Sequence, residues 1–183
     1  MKNKFYFLFL IICNILFSED KVQDFSFLIP KNNDILYCIA GSKEEDSLIS
    51  MDTSNAKARV GLANFVRDRL KDILKEKFKN FNAITDILEY ELSINNITEE
   101  VYNLVLENSK DEKNYFDKKS NFYYVVVVFD INILKGNFEK IIRENANFLV
   151  KLKMNRPLQE FIVKLKNIKR EDFYKDNFCL VIY

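Results

Sequence analysis

Phe122-Tyr123-Tyr124-Val125-Val126-Val127-Val128-Phe129-Asp130 is the stretch on which the fold turns. β-Branched and aromatic residues fit a pleated surface, so the run reads as a strand. Alternate residues of a strand share a face. Tyr124, Val126 and Val128 fall on one face; Tyr123, Val125, Val127 and Phe129 fall on the other. A strand with one wet face alternates apolar with polar residues, and this one does not. It must be covered on both sides, by helices or by a second subunit. Left open, such a run pairs with other chains.

Upstream, Asp34 to Ala40 is a second short apolar run, closed by Gly41-Ser42, and predicts a buried strand over 35–40. Lys43 to Asp52 reads as a loop. Asp52, Thr53 and Ser54 are helix-capping types, and Ala56, Val60, Ala63, Val66, Leu70, Ile73, Leu74 and Phe78 recur at three- and four-residue spacing. They predict a long helix over 54–79, with Ala56 and Ala63 small enough to let it lie close to a sheet. Its Lys, Arg, Asp and Glu residues read as a solvated face. Ile84, Ile87, Leu88 and Leu92 suggest a shorter helix ended by Asn95-Asn96. Residues 100–108 suit a helix from Thr98 or a strand; the need of 122–130 for a partner favours a strand. Residues 109–120 then become a polar hairpin loop. Helical spacing returns over 137–153 and, restarted by Pro157, over 157–169; 178–183 closes the chain as a strand. The expected fold class is α+β. A mostly antiparallel sheet of about four strands packs against one long helix, and the two C-terminal helices cover what remains.

The N-terminus carries a different signal. Lys2 and Lys4 precede an apolar run from Phe5 to Phe17, and Ser18-Glu19-Asp20 is abruptly polar. This is the layout of a signal peptide over 1–18, cleaved after Ser18. The run falls short of the roughly 20 apolar residues that span a bilayer. Other readings are an uncleaved anchor and lipidation at Cys13, although Ile11 and Ile12 stand where a lipidation site has small residues. Residues 19–33 read as an extended leader with a turn, and 34–183 as a single domain.

Composition narrows the chemistry. A hydrophobic share of 48% is ample for a packed core and argues against disorder. Removing residues 1–18 takes Lys2 and Lys4 and no acid, which leaves 26 basic against 27 acidic residues. So near-neutral a chain is not a nucleic-acid binder by electrostatics. There is no His, which excludes His bases, His triads and His metal ligands. Only three Gly are present, and no Gly-rich phosphate loop. Beyond the leader the chain keeps Cys38 and Cys179. They are either buried free thiols or, in an oxidising compartment, a disulfide.

The acidic clusters Glu44-Glu45-Asp46 and Glu99-Glu100 read as solvated loops rather than a carboxylate pair facing across a cleft. No twelve-residue calcium loop is present. Tyr115, Tyr123 and Tyr124 read as packing residues rather than a stacking platform. The basic residues between Lys140 and Arg170 read as the outer face of a core-facing helix, with peripheral membrane contact as the other reading. No catalytic, cofactor or metal residues are assigned.

The order of features resembles a known family. An apolar strand closes on Gly41-Ser42, a polar loop leads to Ser54, and a helix follows with Ala56, Val60, Ala63 and Val66. Much later comes Tyr123-Tyr124-Val125-Val126-Val127-Val128-Phe129-Asp130, then a helix. This is similar to the exported bacterial lipoproteins that include the twenty-kilodalton surface lipoprotein and the flagellar assembly proteins P and T. The likeness spans about residues 34–150, with fewer Ala on the helix and no clear lipidation Cys. It brings no catalytic residues. It implies a small envelope scaffold, often linked to flagella or the outer membrane. The expected function is a non-enzymatic, exported protein of the periplasm or outer membrane that binds envelope proteins or itself, with the doubly apolar strand 122–130 as the reason to expect self-association. The alternative is a periplasmic solute-binding protein or a hydrolase using carboxylates.

Overall fold

The computed structural model describes residues 26–78, 87–145, 155–174 and 179–182. Residues 1–18, read above as a signal peptide and including Cys13, and residues 19–25 of the expected leader lie outside them, as do 79–86, 146–154, 175–178 and 183.

Four strands make one sheet: β1 (Ile35–Ser42), β2 (Lys110–Asp117), β3 (Phe122–Asp130) and β4 (Leu180–Ile182), in the order β2-β3-β1-β4. β3 is antiparallel to both neighbours, and β4 is parallel to β1. The helices are α1 (Ser47–Phe78), α2 (Ile87–Asn108), α3 (Ile131–Asn145), α4 (Asn155–Lys166) and α5 (Arg170–Phe173). A short 3-10 turn, Ser26–Leu28, precedes β1. The molecule is α+β with a mostly antiparallel sheet and one long helix.

Both faces of β3 are buried. Val125, Val127 and Phe129 join Leu36, Cys38 and Ala40 of β1 in the main core under α1 and α2. Tyr124, Val126 and Val128 join Tyr37 and Ile39 on the reverse face, where Leu28, Ile29 and Tyr174 pack on them. The cover comes from within the chain, so the doubly apolar strand no longer calls for a second subunit. Nor do the C-terminal helices cover the reverse face. Leu134, Phe138 and Ile142 of α3 and Ile162 and Leu165 of α4 extend the main core instead.

Six local expectations are corrected. Residues 100–108 are the end of α2, not a strand: Ile94, Ile97, Thr98, Val101 and Val105 are buried at helical spacing. Asn95 and Asn96 sit exposed inside that helix and do not end it. The supposed loop 109–120 contains β2, whose charged residues face solvent along the sheet edge. α1 begins seven residues early, because the Asp46 carboxylate accepts the Leu48 N–H (2.7 Å) as its N-cap. α3 likewise begins at Ile131, capped by Asp130 through the Asn132 N–H (2.8 Å). Of the C-terminal pair, α4 ends at Lys166 and α5 follows separately.

Ser54 does not cap α1. It is buried on the sheet-facing side, where its hydroxyl donates to the Tyr123 carbonyl (2.8 Å) and meets the Ser42 hydroxyl (2.8 Å). This polar tie fixes how α1 lies over β1 and β3. Ala58, Leu62, Val66, Leu70 and Leu74 continue the same face, while Ala56 and Val60 point outward. The expected stripe therefore holds at Ala63, Val66, Leu70 and Leu74, and it is displaced only in its first turns, at Ala56 and Val60.

Candidate functional site

The two edges of the sheet differ in chemistry. β2 carries Lys110, Asp111, Glu112 and Lys113 in exposed positions and shifts register between Asp111 and Lys113. Charges and a bulge are how an edge strand is kept from pairing with another chain. Asp111 is also occupied: Arg59 and Asn55 of α1 both donate to its carboxylate (2.5 Å each).

β4 has no such protection. Leu180-Val181-Ile182 is uncharged, and its outer side has no strand partner among the described residues. Leu180 is 47% exposed. Three anchors hold the strand in place. Ile39 to Gly41 pair with it in parallel register, and the Ile39 N–H donates to the Cys179 carbonyl (3.0 Å). Cys179, the residue before β4, is bridged to Cys38 with Cα atoms 4.6 Å apart. Gly61 of α1 lies over this bridge. A Cβ there would stand 2.9 Å from Val181 Cγ2 and 3.1 Å from Cys38 Sγ, so only glycine lets the helix sit this low. On the solvent side of this contact, Ala56, Lys57, Val60, Gly61, Asn64 and Val181 line a shallow, mainly apolar groove. Val60 there is 44% exposed.

Beyond the end of β4 the sheet is completed by a side chain. The Tyr174 hydroxyl accepts the Tyr37 N–H and donates to the Tyr37 carbonyl, both at 2.7 Å. Burial pushes this phenol far above its ordinary range, and the Tyr37 N–H bond offsets part of that. Arg170 lies over the rings of Tyr37 and Tyr174, 5.1 and 5.6 Å from their centroids. Its guanidinium also donates to the carbonyls of Pro30 and Asn32.

The residues singled out in the sequence are not gathered into a site. Glu44, Glu45 and Asp46 are exposed before α1, and Glu99 and Glu100 are exposed on α2. Glu99 lies 3.8 Å from Arg67. Tyr115 packs edge-on to Phe27 and stacks with Tyr124, and Tyr123 packs against Phe116. Among the described residues no group of His, Cys, Asp and Glu could hold a metal ion, and no helix is long and apolar enough to cross a membrane. Gly61 and Tyr174 escaped the sequence reading. A glycine in mid-helix was the available signal for the first; a lone Tyr among charges offers none.

Among the described residues, fold and surface together define an α+β architecture, stapled by the Cys38–Cys179 disulfide, with one blunted and one open sheet edge. Comparison with protein-family models, curated proteins and solved structures finds no match.

Proposed function

We propose that the chain is a non-enzymatic, exported envelope protein that binds an extended segment of a partner protein along β4. The observation that carries this reading is the open, uncharged edge Leu180–Ile182 beside the α1 groove. Strand addition uses such an edge: the free main-chain groups supply hydrogen bonds, and the adjoining groove receives alternate side chains. Export is supported by the Cys38–Cys179 bridge, since disulfides persist in oxidising compartments. The resemblance to envelope lipoproteins directs the search for partners to flagellar and outer-membrane assembly proteins.

The test is photocrosslinking in intact cells from a reactive group at Val60, in the groove beside the edge, followed by identification of what is attached. Reproducible recovery of an envelope assembly protein, lost when Leu180→Lys charges the edge, is the expected result. Recovery of the chain itself would assign the edge to self-association. Labelling that Leu180→Lys leaves unchanged would sink the edge as the binding surface.

A further inference from the structure

A second depression lies on the far half of α1, away from the β4 groove. Arg69, Asp72, Ile73 and Glu76 share one face of the helix, and Lys164, Ile168 and Asp172 also line the cleft, the Asp172 carboxylate already accepting the Lys169 N–H (2.9 Å). The cleft holds about 360 Å³, at the small end of the roughly 300–1,000 Å³ usual for ligand sites. Ile168 is buried and Ile73 half-buried, so the floor is apolar.

The charges around it are not spent on one another. The side chains of Asp72, Glu76 and Lys164 make no hydrogen bond or ion pair with a described residue. Arg69 uses its Nε and Nη2 to hold the carbonyls of Phe173 and Asp172 (3.0 and 3.3 Å). A guanidinium has five N–H donors, so others remain. A lone anion in this cleft would meet Asp72 and Glu76, and a lone cation would meet Arg69 and Lys164. A molecule carrying both charges satisfies both sets. Arg69 and Glu76 are seven residues apart, about 10 Å along a helix axis. Three extended residues span about the same length.

We propose that this cleft binds a short zwitterionic peptide of about three residues. Its carboxylate is taken by the cations Arg69 and Lys164, its ammonium group by Glu76, and its body rests on Ile73 and Ile168. Charge-assisted hydrogen bonds replace the water around side chains that are otherwise unpaired.

Calorimetric titration with trialanine, N-acetyl-trialanine and trialanine amide tests this on the whole mature chain. Trialanine is expected to bind saturably, and each blocked peptide about 10-fold or more weakly, the step that about 1.4 kcal/mol represents. Glu76→Gln, at an exposed position, should weaken trialanine and abolish its advantage over the acetylated peptide. Lys164→Gln should do the same for the amide. Absence of saturable heat at about 10 mM trialanine, a range in which even millimolar affinity registers, overturns the proposal. So does equal binding of the blocked peptides.

Discussion

Tyr174 does at the residue scale what a longer strand would do at the element scale. Among the described residues β4 pairs with β1 from Ile39 onward, and at Tyr37 one hydroxyl meets both the N–H and the carbonyl. A hydroxyl is one donor and an acceptor, so a single atom closes the ladder. Tyr174 also stacks on Tyr37 and packs against Phe65, so its ring is held from both sides of the sheet edge. Tyr174→Phe keeps the ring and removes the oxygen, leaving a buried N–H and a buried carbonyl unpaired. The expected loss is about 2–4 kcal/mol, because an unmet buried polar group costs more than a bond contributes. Urea unfolding of the variant checks this, and an unchanged midpoint would show that water satisfies Tyr37 equally well. Gly41 is a smaller case of the same dependence. A Cβ there would stand 2.7 Å from the Tyr124 ring, which lies directly over the glycine.

β4 is the element with least to hold it: three residues, one paired side, and a bridge to β1. The bridge spans 141 positions of sequence. On the chain-entropy account, closing so long a loop in the unfolded state contributes about 5 kcal/mol. Cys38 and Cys179 are both buried, so reductant should act slowly on the folded chain. Once reduced, or in Cys38→Ala with Cys179→Ala, the thermal midpoint should fall sharply and amides of β4 should lose exchange protection before those of β3. Equal protection in both strands would mean that pairing and Gly61 packing suffice without the bridge. The ease of reading each element from sequence follows its burial. β1 and β3 were legible because both their faces are covered, so their apolar runs have no other explanation. β2 was not, because an edge strand that must repel other chains is written in Lys, Asp and Glu, like a loop. The segment 100–108 misled because Val-Tyr-Asn-Leu-Val-Leu has strand propensity, and packing of Val101 and Val105 under α1 overrode it. The open edge could not be read at all, since edge position depends on strand order and not on the residues of Leu180–Ile182.

For the whole molecule, the distribution of titratable groups sets the pH range over which the fold holds. The chain has no His, the side chain whose ordinary pKa lies in the neutral range, and Cys38 and Cys179 are bridged. Stability should therefore be nearly flat from about pH 6 to 9. At the acid end, hydrogen bonds from Lys166 and Arg143 hold Glu139 below its usual range. Its contribution is present above about pH 4.3 and is lost as pH falls through the lowered folded value. Being exposed, it makes a small term. At the alkaline end, Tyr37, Tyr90, Tyr124 and Tyr174 are all raised, chiefly by burial. Arg170 faces Tyr37 and Tyr174 and pulls the other way, but less strongly than burial. Folding thus favours the protonated phenols. Their stabilisation is complete below about pH 10 and is lost as pH rises past it, since the unfolded chain then binds fewer protons. Tyr174, the most strongly raised, alone sets a slope of about 1.4 kcal/mol per pH unit above that point. Urea midpoints measured from about pH 6 to 11 at constant ionic strength should show a plateau and then a steep fall, with part of the phenolate absorbance appearing only on unfolding. In Tyr174→Phe the plateau should be lower and the alkaline fall shallower. A steady decline across the neutral range would place the controlling group elsewhere than in these tyrosines.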